Sequence, residues 1–229
     1  MIRAVEQYAK AGYDESAAAI LLCESDGTPA EVAEEIARMQ GVLQARGATQ
    51  LRVSRDERER LQLWAGRKAA FPAIGRLSPD YYCMDGTIPR KHLAHMLQAI
   101  AGLEKKYGLR CANVFHAGDG NLHPLIMYDA NKPGELERTE AFGAEILELS
   151  VALGGTITGE HGVGIEKIGS MCAQFQAPEL EAFHRVKAAF DPAGLLNPGK
   201  AVPTLHRCAE YGRLHVHRGD TRHPHLERF

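Results

Sequence analysis

Two glycine-dense segments of this chain carry the side chains that could do chemistry. His116-Ala117-Gly118-Asp119-Gly120-Asn121-Leu122-His123 sets two imidazoles on either side of a turn, and Thr156-Ile157-Thr158-Gly159-Glu160-His161-Gly162-Val163-Gly164 sets a carboxylate beside a third imidazole. An apolar run that reads as a buried strand approaches each segment. With Gly118 to Asn121 as a four-residue turn, His116 is expected to pair with His123. Directly paired residues share a face with Cβ atoms roughly 4.5–5.5 Å apart, close enough for both rings to meet one metal ion. Glu160 is the best third ligand, because two histidines and a carboxylate leave positions open for a substrate on zinc, iron or manganese. His161 would point away from Glu160 in a regular strand, but glycines at 159 and 162 let the backbone bend so that both line one pocket. A neutral histidine there, beside a hydroxyl that the metal acidifies, is a natural general base.

The elements that must position these groups follow from capping and periodicity. An apolar strand is expected over 17–23. A helix follows, capped by Thr28 with Pro29 at its first position and Glu31 in the capping-box place, carrying Val32, Ile36, Met39 and Leu43 on one face until Gly47. A half-buried strand over 49–54 leads to a helix from Asp56 to about Ala70. A strand over 81–88 is expected to bulge or bend at Asp85-Gly86. Next come a helix from Pro89 to Gly108, the two strands of the histidine hairpin (109–115 and 122–128), a helix over 135–153, a strand leading to Glu160-His161, and a helix over 178–190. This order predicts an α+β fold, with a ferredoxin-like mixed or antiparallel sheet and helices packed on one side. Residues 1–12 read as the end of a preceding region, with Met1 an internal or truncated start. Residues 13–202 read as one domain, and 203–229 as a tail that is mobile or covers a partner.

Three stretches carry a resemblance to a known family. HAGDGNLHP at 116–124, GGTITGEHGVG at 154–164 and FDPAGLLNPGK at 190–200 resemble the C-terminal half of FAD-linked 2-hydroxy-acid oxidases and dehydrogenases. That family includes D-lactate and D-2-hydroxyglutarate dehydrogenases and bacterial glycolate oxidases. AAAILLCESDG at 17–27, WAGRKAAFPAIGRLSPDYYCMDGTIPR at 64–90 and PTLHRCAEYG at 203–212 are similar to the glycolate-oxidase branch, over the second half of its flavin subunit.

The resemblance implies FAD as a cofactor, beside the divalent metal (Zn, Mn or Fe) expected from the spacing of His116, His123 and Glu160. It puts Glu160, His161, Gly162 and Asn197 toward the flavin. Arg67 matches a position that binds the substrate carboxylate, a task suited to the guanidinium fork. Phe71 and Cys83 stand where the dicarboxylate enzymes have a threonine and a lysine, which argues for a small monocarboxylate. The expected activity is oxidation of glycolate or D-lactate to the 2-oxo acid, with His161 as the base. The implied partners are a flavin-binding N-terminal half and companion flavoprotein-like and iron–sulfur subunits, in the cytoplasm or peripherally at the inner membrane through those subunits. Without a flavin-binding half, the chain alone is expected to be inactive. The alternatives are a metal-dependent hydrolase using His116, His123 and Glu160, and a non-catalytic cap and assembly module.

Composition excludes several other classes. At 229 residues, 24% charged and 45% hydrophobic, the chain is that of a soluble globular protein. A net charge of −2 without a basic, aromatic-interleaved stripe argues against a nucleic-acid partner. No run approaches the roughly 18 apolar residues of a membrane span. The five cysteines form no Cys-x-x-Cys pair, so neither a disulfide framework nor an iron–sulfur site is signalled. Gly162-Val163-Gly164 lacks the βαβ frame and acidic partner of a dinucleotide site. Five histidines gather in the tail, where His215 and His217 would share a strand face.

Overall fold

The structure, a computed structural model, describes residues 1–203 and forms two compact units, divided between Leu77 and Ser78. That division falls inside the 13–202 span. The His206 to His225 cluster of the tail lies outside the described residues.

The N-terminal unit contains α1 (Ile2–Ala9), α2 (Pro29–Ala45), α3 (Glu57–Lys68) and α4 (Ala70–Ile74). α2 starts as its residues dictate: Thr28 accepts from the Glu31 N–H, and the Glu31 carboxylate accepts from the Thr28 N–H at 2.9 Å. Asp56 caps α3 by accepting from the Glu59 N–H at 2.8 Å. The buried centre of the unit is small, built from Ala4, Val5, Ala11, Ala70, Ala73 and Ile74. The strands expected over 17–23 and 49–54 do not form. Both stretches are non-helical and unpaired among the described residues, with Leu21 58% and Val53 44% exposed. Apolar periodicity makes a segment fit for a sheet, but only a neighbouring strand can satisfy its N–H and C=O groups.

The C-terminal unit carries the candidate chemistry. Its strands are β1 (Asp80–Cys83), β2 (Gly86–Thr87), β3 (Arg110–Asn113), β4 (Asn121–Leu122) and β5 (Pro124–Tyr128). They form two antiparallel sheets, one ordered β1-β5-β3 and the other pairing β2 with β4. The expected 81–88 strand is split at Met84-Asp85, both buried, where the chain passes from the first sheet to the second. After a short 3-10 turn over Arg90–His92, α5 (Leu93–Tyr107) packs on β3, and α6 (Glu135–Ala152) packs on β5 and α5. α7 (Met171–Gln174) and α8 (Ala177–Phe190) complete the described elements. Ile126 from the sheet, Met96 and Ile100 from α5, and Phe142, Ile146 and Leu147 from α6 form the core. The class is α+β, with small antiparallel sheets and helices packed on them.

Gly120 shows how tightly the hairpin meets its neighbour. Its φ is +73°, and a Cβ there would stand 2.1 Å from the Ile88 carbonyl oxygen, which only glycine avoids. The strand expected before Glu160 shrinks to one bridge, Thr87 to Thr156, after which the chain turns around Asp85.

Candidate active site

The hairpin brings the two histidines together, in a different register from the one expected. His116 pairs with Asn121, and the Val114 N–H donates to the His123 carbonyl at 3.2 Å, so the register is shifted by two residues. A shift of two keeps side chains on the same face. His116 and His123 are therefore diagonal neighbours, their rings edge to face with centroids 5.3 Å apart. His161 stacks on the other side of His123, with centroids 4.9 Å apart and planes 8° from parallel.

Glu160 is the point of convergence. Its Oε1 lies 2.9 Å from His123 Nε2, 3.8 Å from His161 Nε2 and 3.9 Å from His116 Nε2. Ligands on one tetrahedral zinc stand about 3.3 Å apart, given bonds of about 2.0–2.1 Å, and the observed separations bracket that value. By distance alone the tightest group is Asp85, His123, Glu160 and His161, whose ligand atoms all lie within 4.8 Å of one another, with His116 at its edge. The donor set of imidazoles and carboxylate suits a divalent first-row metal. Only 3% of the His123 side chain is exposed, whereas His116, Glu160 and His161 are about half exposed, so the site opens on their side. Burial, reinforced by His161 and opposed by Glu160 and Asp85, holds the His123 imidazole below its ordinary pKa, the neutral form a metal needs.

Two residues here escaped sequence reasoning. Asp85, read only as a bend, is fully buried beneath the Glu160 loop, and its carboxylate accepts from the N–H groups of Gly159, Glu160 and His161 and from Thr158 Oγ1. Burial works to raise its pKa, but the hydrogen bonds from His161, Thr158, Glu160 and Gly159 outweigh it and hold the carboxyl well below the usual range. Lys167, 3% exposed, donates to the Asp85 carbonyl at 2.8 Å and lies 3.3 Å from Asp85 Oδ2. Burial lowers its pKa, and the Asp85 charge opposes that. The available signal was an acid inside an otherwise apolar strand pattern.

Gly162 is exposed at φ +79°, and Asn197 is exposed at φ +44°. Asn197, Leu196 and Lys200 line an open recess of about 420 Å³ together with Gly164, and the Ala201 N–H donates to the Gly164 carbonyl at 2.7 Å. The two segments read as flavin-facing are thus held side by side. Arg67 belongs to the N-terminal unit, half-buried in the last turn of α3 next to Tyr13.

The family of FAD linked oxidases, C-terminal domain, matches residues 1–201 of this sequence. The chain belongs to that family. Among its curated relatives, this FAD-linked oxidase domain is 61% identical over 228 residues to the glycolate oxidase subunit GlcD of Escherichia coli K12, covering 100% of this chain and 46% of the relative. It is 39% identical over 196 residues to the GlcD of Bacillus subtilis, covering 86% of this chain and 42% of that one. The chain therefore spans about half the length of the curated relatives it matches. A solved structure of a 4-ethylphenol oxidase from Gulosibacter chungangensis, in complex with isoeugenol, shares the fold at TM-score 0.55 and 17% identity, over 79% of this chain and 38% of that one. No helix among the described residues is long and apolar enough to cross a membrane.

Proposed function

We propose that this chain is the substrate- and metal-binding half of an FAD-dependent enzyme that oxidises a small 2-hydroxy acid, glycolate first and D-lactate second, to the 2-oxo acid. The observation that carries the reading is the convergence of three imidazole Nε2 atoms on one oxygen of Glu160. His116, His123 and Glu160 would hold a zinc, manganese or iron ion. His161, half exposed at the mouth and stacked on His123, is placed to take the proton of the substrate hydroxyl. When bound, the flavin supplies the two-electron acceptor and the ion supplies Lewis acidity at the hydroxyl oxygen. Arg67 would bind the substrate carboxylate, and Gly162 and Asn197 would meet an edge of the flavin. Phe71 and Cys83 offer no cation for a second carboxylate, which fits a monocarboxylate.

Identity to subunits named for glycolate oxidase supports this substrate class, and membership of a flavin-linked oxidase family argues against the hydrolase reading. We assign the chain to 13–202 as the working domain, with a flavin-binding half and companion flavoprotein-like and iron–sulfur subunits as partners, in the cytoplasm or peripherally at the inner membrane through them. The test is metal analysis. The purified chain should hold about one divalent ion, and the His116→Ala/His123→Ala double variant should lose it, because the two imidazoles supply most of the ligands. Full occupancy in that variant would remove the site. In the assembled enzyme, His161→Ala should lower kcat on the order of 10²–10⁴-fold, the loss expected of a general base. A change confined to KM would make His161 a binding group only.

A further inference from the structure

Glu160 and His161 are consecutive, and consecutive side chains of a regular strand face opposite ways. Here both reach one site, with Glu160 Oε1 and His161 Nε2 3.8 Å apart. The backbone explains it. The N–H groups of Gly159, Glu160 and His161 donate to a single atom, Asp85 Oδ2, at 2.9, 3.0 and 2.8 Å, and Thr158 Oγ1 donates to the same atom at 2.8 Å. Successive N–H groups wrapped around one anion form a concave nest, which curls the chain and redirects the side chains that leave it. Lys167 Nζ closes the anion at 3.3 Å while donating to the Asp85 carbonyl at 2.8 Å, so it ties together the side chain and backbone of the residue that holds the loop.

We propose that Asp85, held by Lys167, is a positioning residue that sets Glu160 and His161 toward the site and is not itself a metal ligand; this rests on the roles given to those two residues above. Distance alone would make Asp85 a ligand, since its Oδ1 is 3.6 Å from His123 Nε2. Its chemistry points the other way. Oδ2 already takes five donors, and Oδ1 accepts from the Glu160 N–H at 3.2 Å. The buried Lys167 ammonium balances the Asp85 charge, so a cation arriving at Asp85 would meet a like charge beside it. Glu160, half exposed, carries no such counter-charge among its lysine and arginine neighbours in the described ion pairs.

The experiment uses the 229-residue chain with Asp85→Asn, Lys167→Met and the double variant, whose charges are balanced again. Amide hydrogen exchange at 159–161, zinc affinity by chelator competition, and the visible spectrum of the cobalt-loaded chain are measured, each beside a melting curve that shows the variant folded. The three amides should be protected in the parent and exchange at least about tenfold faster in Asp85→Asn, as local opening becomes easier. Zinc should still bind one per chain, about 10–100-fold more weakly, with an altered cobalt spectrum as Glu160 loses its placement. Lys167→Met alone leaves the buried Asp85 charge without its ammonium, and Asp85→Asn leaves the ammonium without its carboxylate, so the double variant should melt no lower than either single variant. Unprotected amides in the parent overturn the proposal, as does an Asp85→Asn chain with parental zinc affinity and cobalt spectrum. So does a folded Asp85→Asn chain that loses the ion altogether, which would make Asp85 a ligand. A parent that binds no zinc but shows the expected exchange pattern sinks the metal reading and leaves the placement of the loop by Asp85 standing.

Discussion

Gly159 sits where a Cβ would meet Asn121 Oδ1 at 2.4 Å and Asp85 Oδ1 at 2.8 Å. The loop can close on Asp85 only because that atom is missing, and nothing nearby is a flexible chain end that could yield. Gly159→Ala should therefore cost about 1–3 kcal/mol, the usual range for overpacking a close-packed site, and weaken zinc binding together with stability. A denaturant titration checks the first part and a chelator competition the second. Unchanged values in both would show that the loop has room it does not display here. Asn121 is the other side of this contact: its Oδ1 is buried and accepts no hydrogen bond among the described residues.

Among the elements, α3 is anchored by one residue of its first turn. Glu59 Oε1 accepts from Arg52 Nε and Nη2 at 2.9 and 2.6 Å, and Oε2 accepts from the Arg55 N–H and Nε at 2.8 and 3.0 Å. The Arg55 N–H and side chain, followed by Arg52, pull its pKa down to about 2. An unfolded Glu titrates near 4.3, so the contribution of this network is fully present above that pH and is lost as pH falls toward about 2. Glu59→Gln should be less stable near neutrality, and its melting temperature should fall less steeply with acid between those limits. Parallel curves for parent and variant would assign no linkage to Glu59. In the other unit, α6 turns Phe142 wholly inward, stacked on Tyr107 with centroids 5.5 Å apart. Phe142→Ala should lower stability by about 3–5 kcal/mol, visible as a shifted denaturant midpoint.

At the scale of the molecule, the chain spans 46% of its Escherichia coli relative, and the flavin contacts proposed for it come from exposed loop residues. Tight cofactor sites bury most of their ligand. The 229-residue chain is expected to purify without flavin absorbance and to oxidise neither glycolate nor D-lactate, and co-expression with a flavin-binding half should restore both. Stoichiometric FAD on the chain alone, with dye reduction by glycolate, would contradict this. Phe190, Leu195 and Leu196 are 82%, 77% and 60% exposed, and such neighbouring apolar residues favour self-association, which light scattering against concentration would report.

What the sequence determined by itself was local. The capping box of α2, the extent of α6 and the two glycine-rich loops of the candidate site are written in residues a few positions apart, whose physics is a turn of helix or a tight bend. His116, His123, Glu160 and His161 were legible for that reason. The tertiary structure decided what depends on distant partners. It shifted the hairpin register by two because the Ile88 N–H takes the Gly120 carbonyl, and it left 17–23 and 49–54 without a neighbouring strand. It also joined Asp85 to Lys167 across 82 residues, because a buried carboxylate is stable only where donors converge on it, and only the folded chain brings them there.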